Sequence, residues 1–523
     1  MKLSRLLESL YPHQIRSIST GGASLPISER EGIFISHDPD IRSIHFNSRE
    51  VQPGGLFVAI PGTRADGCAY IDSAIQQGAV AIVSQKPFAA PPDICAVQVH
   101  DARKALAFIA SRFYEEPSEH MTVIAVTGTN GKTTTTYLIE KILQHAGVSV
   151  GVIGTLNSRF CGKIVEASMT TPESLHLQHI LAEMKASGVT HVVMEVSSHA
   201  IALNRIESCW MDIAVFTNLT QDHLDFHGDM DNYWQCKRSL FIRRLTAGPK
   251  KDRAVAIVNG NDNRGKALLD ELPSAMSFGF GSQWQLWPNI IQKDETGMNG
   301  IMTTPKGAFT FATPLIGDHN VENILAAAAV GVALQFPLDV IRAGIEAVGF
   351  IPGRLQPVPN TVQRFVFVDY AHTPDALDHV LKTLRSLSKA RIICVFGCGG
   401  DRDRGKRPQM GQIAANLATV CIITSDNPRS EDPMAIIQDI LVGVEAQGAH
   451  PCGLDNPHPD TRGFIVEPDR VLAIELAVRI SRSGDILLIA GKGHEHYQIV
   501  GERKIACDDR LIAENALKKI EKS

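Results

Sequence analysis

The stretch that decides the fold is TVIAVTGTNGKTTTTYLIEKIL, residues 122–143. It begins with a short apolar run, passes through a turn with two glycines, and ends in apolar residues at the spacing of an amphipathic helix. A buried strand, a glycine-containing turn and a helix in this order are typical of a β-α unit that binds a nucleotide. The stretch therefore predicts a parallel sheet with a phosphate-binding loop at a strand end.

The turn has the residue types that hold phosphate groups. Its glycines let backbone N–H groups curl around an anion, Lys132 neutralises negative charge, and the hydroxyl of Thr133 can bind Mg²⁺. The spacing departs from the common GxxxxGK[ST] pattern, because Val126 stands at the first glycine position. The strand-turn-helix context, rather than the motif alone, predicts the site.

Acidic and histidine side chains follow two further predicted strands. The run HVVMEV reaches Glu195, and the run IAVFTN leads into NLTQDHLDFHGDM, which contains Asp222 and His223. Carboxyl ends of parallel strands meet at one edge, so these groups are expected near the phosphates and a hydrated Mg²⁺. By its sequence surroundings alone, Lys237 in YWQCKRSLF is expected to be a solvated helix residue.

The order of strands and helices predicts an α/β protein with three domains. At about 150 residues per domain, 523 residues suggest three or four domains. A polar link near residues 115–120 and a turn at residues 351–354 give the boundaries. We expect a small N-terminal α/β domain at 1–119, a central P-loop-type, mostly parallel sheet with flanking helices at 120–350, and a C-terminal Rossmann-like α/β domain at 351–523.

Composition excludes several classes of protein. Hydrophobic residues make up 44% and charged residues 20%, which is typical of a globular chain. The net charge of −5 argues against binding nucleic acid over the whole surface. The ten cysteines include no CxxC pair, and no apolar run reaches the ~20 residues of a membrane span. We therefore expect a cytoplasmic protein without membrane insertion.

Three loops after strands of the C-terminal domain predict a site for a charged small molecule. GCGGDRDRGKRPQM, residues 397–410, concentrates basic side chains. This favours a binding site for phosphate or carboxylate groups over the alternative, a flexible basic surface loop. SDNPRSEDP, residues 425–433, presents Arg429 on a proline-stiffened turn suited to a carboxylate. LLIAGKGHEHYQ, residues 487–498, offers Glu495 to an ammonium group, with a plain turn as the alternative.

These motifs, in this order, resemble those of the Mur ligase family, and the resemblance covers nearly the whole chain. It is strongest to the branch that adds the third amino acid of the peptidoglycan peptide. The motifs are NSREVQPGGLFVAIPGTRADG, TGTNGKTTT, MEVSSHAIALNRI, FTNLTQDHLDFHG, PLIGDHNVENILAA, PGRLQ, VDYAHTPDAL, FGCGGDRDRGKRP, DNPR and AGKGHE. Asn47, where the family commonly has aspartate, and Leu203, where some members have a polar residue, depart from the pattern.

The resemblance implies three sets of binding residues. For ATP they are Gly128, Thr129, Asn130, Gly131, Lys132, Thr133, Thr134, Asn320 and Arg354. For the UDP-linked substrate they are Phe46, Ser48, Thr63, Arg64, Ala65, Thr170, Thr171, Ser197, Leu203 and Arg205. For the incoming amino acid they are Arg402, Asp426, Asn427, Pro428, Arg429, Gly491 and Glu495.

The resemblance also implies catalytic and metal-binding roles. The catalytic residues would be Lys132, Glu195, His223 and Lys237. Mg²⁺ would be bound near Thr133, Glu195 and His223, and by Lys237 if that lysine is carbamylated, because carbamylation converts a cation into an anion. The sequence does not identify the base that deprotonates the incoming amine; His223 and the surroundings of the substrate are the candidates.

The activity implied by the resemblance is that of an ATP- and Mg²⁺-dependent amide ligase. It would add meso-2,6-diaminopimelate to the D-glutamate carboxylate of UDP-N-acetylmuramoyl-L-alanyl-D-glutamate, through an acyl phosphate, in the synthesis of peptidoglycan precursors. Arg429 would bind the distal carboxylate that lysine lacks. The alternatives are the lysine-adding version of this ligase and a non-catalytic nucleotide-sensing module. We expect a monomer with small-molecule substrates and no nucleic-acid partner.

Overall fold

The computed structural model describes residues 1–10, 14–20, 23–25, 35, 38–62, 65–452 and 462–521. The chain divides into two compact units, Met1–Ser277 and Phe278–Ser523. Sheets of six and eight strands belong to the first unit, and sheets of three, seven and two strands belong to the second. Helices alternate with most of these strands, which confirms the predicted α/β class.

The first sheet forms from the N-terminal part of the chain. Its strands are β1 (Ile15–Thr20), β2 (Ala23–Leu25), β3 (Ser43–His45), β4 (Gly55–Ala59), β5 (Ala79–Ser84) and β6 (Cys95–Val99), with helices α1 (Leu3–Leu7), α2 (Ile71–Gln76) and α3 (Ala102–Phe113). The order is β2-β1-β6-β5-β4-β3, parallel from β6 to β3 and antiparallel at β1 and β2. All five residues of β4 are buried, as expected of a parallel strand covered on both faces.

The second sheet contains the glycine-rich loop. Its strands are β7 (Thr122–Thr127), β8 (Val150–Ile153), β9 (Asn157–Phe160), β10 (Lys163–Glu166), β11 (His191–Glu195), β12 (Ile213–Phe216), β13 (Val255–Asn259) and β14 (Met276–Phe278). The helices are α4 (Lys132–His145), α5 (Ser174–Ala186), α6 (Ser198–Ala202), α7 (Leu224–His227), α8 (Met230–Ser239) and α9 (Asn263–Glu271). The order is β10-β9-β8-β11-β7-β12-β13-β14, and β11 and β12 pair in parallel on either side of β7. This agrees with the predicted mostly parallel sheet.

The second unit begins with an antiparallel sheet that the sequence did not reveal. Its strands are β15 (Trp287–Asp294), β16 (Gly297–Thr304) and β17 (Gly307–Thr313), followed by helices α10 (Asp318–Ala333) and α11 (Leu338–Glu346). Residues along β16 alternate between half-buried and buried positions, so only one face of the strand is fully covered. The alanine-rich segment of this unit lies in α10, which begins at Asp318.

A doubly wound sheet follows in the same unit. Its strands are β18 (Gln356–Pro357), β19 (Phe365–Asp369), β20 (Ile392–Phe396), β21 (Val420–Ile423), β22 (His450–Pro451), β23 (Gly463–Val466) and β24 (Ile486–Ala490), and a separate hairpin comprises β25 (Tyr497–Val500) and β26 (Arg503–Ala506). The helices are α12 (Pro374–Leu387), α13 (Lys406–Leu417), α14 (Pro433–Glu445), α15 (Arg470–Ile480) and α16 (Asp509–Glu521). The strand order is β18-β19-β24-β20-β21-β23-β22, parallel except at β18. The predicted Rossmann-like arrangement is confirmed.

Within the described part of the chain, no helix combines the length and apolar character needed to cross a bilayer.

A buried ion pair joins the last two helices. The guanidinium of Arg470, in α15, donates from Nε to Asp509 Oδ1 (2.8 Å) and from Nη2 to Asp509 Oδ2 (2.6 Å). Both side chains are completely inaccessible to solvent. Loss of one partner would leave a buried charge without compensation, which costs far more than loss of an exposed pair.

We expect Asp509→Ala to lower the free energy of unfolding by about 3–5 kcal/mol, because Arg470 would stay buried without its carboxylate. Glu475→Ala is the matched control, since the exposed Lys519–Glu475 pair (2.8 Å) joins the same two helices. The control should cost less than about 1 kcal/mol. Urea denaturation of both variants measures the difference, and equal losses would contradict the role given to the buried pair.

Candidate active site

The loop after β7 has a conformation that requires glycine. Gly128 has φ +152°, and a Cβ there would lie 1.8 Å from Thr217 Oγ1, on the neighbouring strand end. Gly131 has φ +85° and stands immediately before α4. The N–H of Asn130 donates to Asn218 Oδ1 (2.9 Å), which fixes the loop against the segment after β12. The positive end of the α4 dipole therefore faces a rigid loop, the usual arrangement for binding phosphate.

Two lysines converge on one carbonyl oxygen in this loop. Lys132 Nζ donates to Gly128 O (3.0 Å) and to Thr129 O (2.8 Å), and Lys237 Nζ donates to the same Gly128 O (2.8 Å). The expectation of a solvated Lys237 is wrong, because this residue is 1% exposed. Burial, and then the charge of Lys132, lower the pKa of the Lys237 amine well below its ordinary value. The positive charge of Lys132 therefore disfavours a second charge on Lys237, and the loop beside it suits an anion.

Glu195, at the end of β11, faces the first turn of α4. Its Oε2 accepts hydrogen bonds from Thr133 Oγ1 (3.0 Å) and Thr155 Oγ1 (2.9 Å), and its Oε1 accepts one from the Thr155 N–H (3.0 Å). The carboxylate and the Thr133 hydroxyl that the sequence predicted as metal ligands are thus in direct contact. Thr134, the next residue of α4, is buried in the same turn.

His223 lies in a cluster of rings beside this loop. Its ring centroid is 4.8 Å from that of His199, and its Nε2 is 3.4 Å from Asp222 Oδ2. Burial of the imidazole lowers the pKa of His223 to about 4, so the ring is neutral at pH 7 and can act as a ligand or proton acceptor. Tyr233 connects the cluster to the loop, because its hydroxyl is 3.1 Å from Thr129 Oγ1.

The donor atoms fit a magnesium ion that takes most of its ligands from elsewhere. Mg²⁺ prefers oxygen ligands and is commonly held by one or two carboxylates, substrate phosphates and water. Glu195 and Thr133 supply such oxygens. No group of three or more histidine, cysteine, aspartate or glutamate side chains suited to a metal occurs among the residues that the structure describes.

Several residues predicted to bind the UDP-linked substrate connect to Glu195. Thr171 Oγ1 donates to the backbone oxygen of Glu195 (2.9 Å) and accepts from the Ser197 N–H (3.1 Å). Thr170 Oγ1 is 3.1 Å from Thr155 Oγ1, which itself binds the Glu195 carboxylate. These hydroxyl groups place a polar surface directly beside the predicted phosphate site.

The remaining residues of this set are more dispersed. Arg205 donates to Glu173 Oε1 (2.9 Å) and Thr171 O (3.2 Å), and Leu203 ends the short helix α6. Phe46 packs edge-on against His176, with ring centroids 5.3 Å apart. The N-terminal part of the same unit contains Asn47, Ser48 and Ala65. The Asn47 side chain accepts a hydrogen bond from the Arg49 N–H and donates one to Glu50. Asparagine can therefore cap this turn, where the family commonly has aspartate. Thr63 and Arg64 lie outside the described residues.

Asn320 and Arg354, the two ATP-binding residues predicted in the second unit, line one small cavity there. Asn320 donates to Ile316 O (2.8 Å) and accepts from Asn323 Nδ2 (3.1 Å), so it is held within the start of α10. The guanidinium carbon of Arg354 lies 5.0 Å from the centroid of the Tyr370 ring. The structure therefore brings these two side chains together.

The three C-terminal loops converge at one end of the seven-stranded sheet. Asn427 donates to Glu495 Oε2 (3.0 Å), which joins the DNPR turn to the AGKGHE loop. Arg429 Nη1 donates to Gly400 O (2.7 Å), which joins the turn to the basic loop. Gly491 has φ +115° and passes close to Asp426. The predicted amino-acid residues thus form one cluster, with Pro428 within its DNPR turn and Arg402 exposed at its margin.

The basic loop does not present all of its charges to a ligand. Arg407 is fully buried, donating to Glu431 (2.8 Å) and Asp439 (2.8 Å), and Arg404 also pairs with Glu431 (3.0 Å). Lys406 donates to His372 O (2.9 Å). The structure therefore gives Arg407 a packing role, contrary to the expectation that the basic side chains of this loop act together on an anion.

Three family models match the chain in the order of the predicted domains. They are "Mur ligase family, catalytic domain" over residues 40–114, "Mur ligase middle domain" over residues 126–331, and "Mur ligase, glutamate ligase domain" over residues 353–493. The chain belongs to the Mur ligase family. The family prediction is confirmed.

Similar proteins extend over nearly the whole Mur ligase chain. The UDP-N-acetylmuramoyl-L-alanyl-D-glutamate--2,6-diaminopimelate ligase of Geobacter metallireducens is 45% identical over 474 residues, 90% of this chain and 93% of the relative. The ligase of the same name from Gloeobacter violaceus is 44% identical over 484 residues, 92% and 95% of the two chains. A solved structure with this name has 29% identity and a TM-score of 0.67, covering 94% of this chain and 98% of its own.

The sequence interpretation of this Mur ligase missed Thr155 and Lys492 as site residues. Thr155 contacts both oxygens of Glu195, and its place directly after β8, at the same sheet edge, was the available signal. Lys492 is fully buried and donates to Asn427 Oδ1 (3.0 Å) and Tyr497 O (2.7 Å). No sequence signal distinguishes it from an exposed loop lysine, because its partners come from separate loops.

We expect Gly128→Ala to weaken ATP binding at least about tenfold, because a misplaced phosphate-binding backbone loses charge-assisted hydrogen bonds. Gly147→Ala is the matched control: Gly147 also has positive φ (+73°) and follows α4, but a Cβ there meets nothing within 4 Å. Calorimetric titration with a non-hydrolysable ATP analogue measures both. Equal affinities for the two variants would show that the close contact with Thr217 does not matter.

Proposed function

We propose that this Mur ligase is an ATP-dependent, ADP-forming amide ligase of peptidoglycan precursor synthesis. It joins meso-2,6-diaminopimelate to the D-glutamate carboxylate of UDP-N-acetylmuramoyl-L-alanyl-D-glutamate. The observation that carries the proposal is the 45% identity, over 90% of the chain, to a relative named for this reaction. The clustered loops of the C-terminal sheet add a chemical reason for the choice of amino acid.

The reaction requires activation of a carboxylate. A carboxylate is a poor acyl donor, so transfer of the ATP γ-phosphoryl group to it first creates an acyl phosphate, which the incoming amine attacks with release of phosphate. Phosphoryl transfer depends mainly on positioning and on neutralising charge. Lys132 and the backbone of the Gly128 loop hold the phosphates, and Mg²⁺, held by Glu195 and Thr133, supplies further positive charge when bound.

Carbamylation of Lys237 is part of this proposal. The buried amine of Lys237 lies beside Lys132 and both donate to one carbonyl oxygen, so a second positive charge there is unfavourable. Burial and the charge of Lys132 lower the pKa of the Lys237 amine, which favours the uncharged, nucleophilic form. A carbamate would replace the Lys237 amine by an anion and add oxygen ligands for a metal. His223, a neutral imidazole near the same loop, is proposed as a further ligand.

The amino-acid cluster has charges of both signs, as a diamino dicarboxylic acid requires. Arg429 offers a planar fork to the distal carboxylate, and Asp426 and Glu495 offer negative charge to the neighbouring ammonium group. Arg402 and Gly491 complete the proposed pocket. Lysine has no distal carboxylate, so Arg429 would lose its partner with that substrate.

We further propose a monomer that acts in the cytoplasm on small molecules. Its domains are proposed at 1–119 for the UDP group, 120–350 for ATP and 351–523 for the amino acid. Each family model lies inside one of these ranges, which supports the boundaries.

A screen of amino acids tests the function. Purified protein with UDP-N-acetylmuramoyl-L-alanyl-D-glutamate, ATP and Mg²⁺ should form product with meso-2,6-diaminopimelate much faster than with L-lysine, as followed by mass spectrometry. Lys132→Ala should abolish product formation, because the phosphates lose their main cation. Faster reaction with lysine would overturn the assignment of substrate, and normal ligation by Lys132→Ala would overturn the assignment of the loop.

We expect Arg429→Ala to lower kcat/KM for meso-2,6-diaminopimelate by about 10- to 100-fold, because a hydrogen bond to a charged group contributes about 1.5–3 kcal/mol. The KM values for ATP and for the UDP-linked substrate should not change. Arg404→Ala is the control, since Arg404 is exposed and pairs with Glu431 at the surface of the same region. Steady-state kinetics measure both, and equal effects would argue against a carboxylate contact by Arg429.

A further inference from the structure

The hairpin of β25 and β26, residues 497–506, contributes little to the hydrophobic core. All four residues of β26 are exposed, and those of β25 are half-buried or exposed. Among the residues that the structure describes, the two strands pair with each other and Val500 forms an isolated bridge with Arg429. A two-stranded hairpin is at best marginally stable alone. Its contacts with the rest of the protein therefore indicate what it does.

The outer edge of β25 binds the DNPR turn. Arg429 N–H donates to Ile499 O (3.0 Å), and Gly501 N–H donates back to Arg429 O (2.7 Å). Ile499 N–H donates to Asn427 Oδ1 (2.8 Å). Three hydrogen bonds from one strand edge and its turn thus end on two residues of the proposed amino-acid pocket.

Arg429 needs this support because of its backbone conformation. Its φ is +52°, in the left-handed region that non-glycine residues adopt rarely and at a cost. The hairpin binds both the N–H and the carbonyl of Arg429, which holds this conformation and directs the side chain. The guanidinium then reaches Gly400 O on the opposite loop (2.7 Å).

A buried lysine anchors the base of the hairpin to the same turn. Lys492 Nζ donates to Tyr497 O (2.7 Å), in the first residue of β25, and to Asn427 Oδ1 (3.0 Å). The same group lies 3.4 Å from Asp426 Oδ1 and from Glu495 Oε2. Lys492 therefore links the hairpin, the DNPR turn and the two carboxylates.

We propose that the hairpin 497–506 is a positioning element for the incoming amino acid. It holds Arg429 and Asn427 in the geometry that binds the distal carboxylate, without itself contacting the reacting atoms. This inference rests on the proposed function of the pocket. It requires that damage to the hairpin raise KM for meso-2,6-diaminopimelate and leave kcat at saturation, and the KM values of the other two substrates, nearly unchanged.

Substitutions at Gly501 test the hairpin in the full-length protein. Gly501→Pro removes the N–H that binds Arg429 O and cannot adopt the observed φ of +60°, so KM for meso-2,6-diaminopimelate should rise at least about tenfold. Gly501→Asn keeps the N–H, tolerates this φ and meets nothing within 4 Å, so it should restore a KM near that of the wild type. Gly448→Pro places the same change at another exposed glycine of positive φ (+71°) and should leave the KM for meso-2,6-diaminopimelate unchanged.

The outcomes separate the possible failures. A wild-type protein that does not use meso-2,6-diaminopimelate contradicts the proposed function, whereas a wild type that does, with Gly501→Pro unchanged, contradicts only the role of the hairpin. A fall in kcat without a selective rise in KM for meso-2,6-diaminopimelate would mean that the hairpin has a merely structural role, and would overturn the proposal. If Gly501→Pro does not fold, hydrogen exchange on the wild-type protein tests the proposal. Binding of meso-2,6-diaminopimelate should protect the amides of residues 497–506 from exchange, but not those of the strands at residues 287–313. Absence of that difference would overturn the proposal.

Discussion

Parallel pairing of β11 and β12 on either side of β7 is the constraint on which the phosphate site depends. The register places Glu195 beside Val126 and Phe216 beside Thr127, so three strands end at one level. The loop after β7 then meets the carboxylate that ends β11 and the segment that follows β12. A shift of one residue in the pairing of β11 with β7 would turn Glu195 to the opposite face of the sheet. The pairing of these apolar strands thereby determines the positions of Glu195 and of the glycine loop.

Buried positive charge is treated differently in the two units. In the first unit, Lys132 and Lys237 share a carbonyl oxygen; the charge of Lys132 suits phosphate, and the lowered pKa of the buried Lys237 amine suits an anionic modification. In the second unit, Lys492 lies among Asp426, Asn427 and Glu495, and its partners satisfy it. The first site thus needs an external anion, whereas the second uses its cation to join loops. This contrast follows from which residues stand at the strand ends.

The sequence predicted those features that depend on local pattern. The β7 strand, the glycine loop and α4 follow from continuous apolar and helical spacing, and the strands of the C-terminal sheet follow from apolar runs. The antiparallel sheet of β15, β16 and β17 was missed because GMNGIMTT has few apolar residues and two glycines. Burial of Lys237 and Arg407, and the convergence on Lys492, depend on segments distant in the chain, which neither pattern nor propensity reports. The domain boundaries and the ligand contacts stay predictions.

Phosphate transfer and amide formation are coupled in a ligase of this kind, and the stoichiometry of the products tests this coupling most directly. ADP, inorganic phosphate and the amide product can be quantified in one reaction containing the UDP-linked substrate, ATP and Mg²⁺, with and without meso-2,6-diaminopimelate. We expect equal amounts of all three products when the amino acid is present, and no sustained ADP release in its absence. Continued ADP release without the amino acid, or with no amide formed, would contradict this coupling.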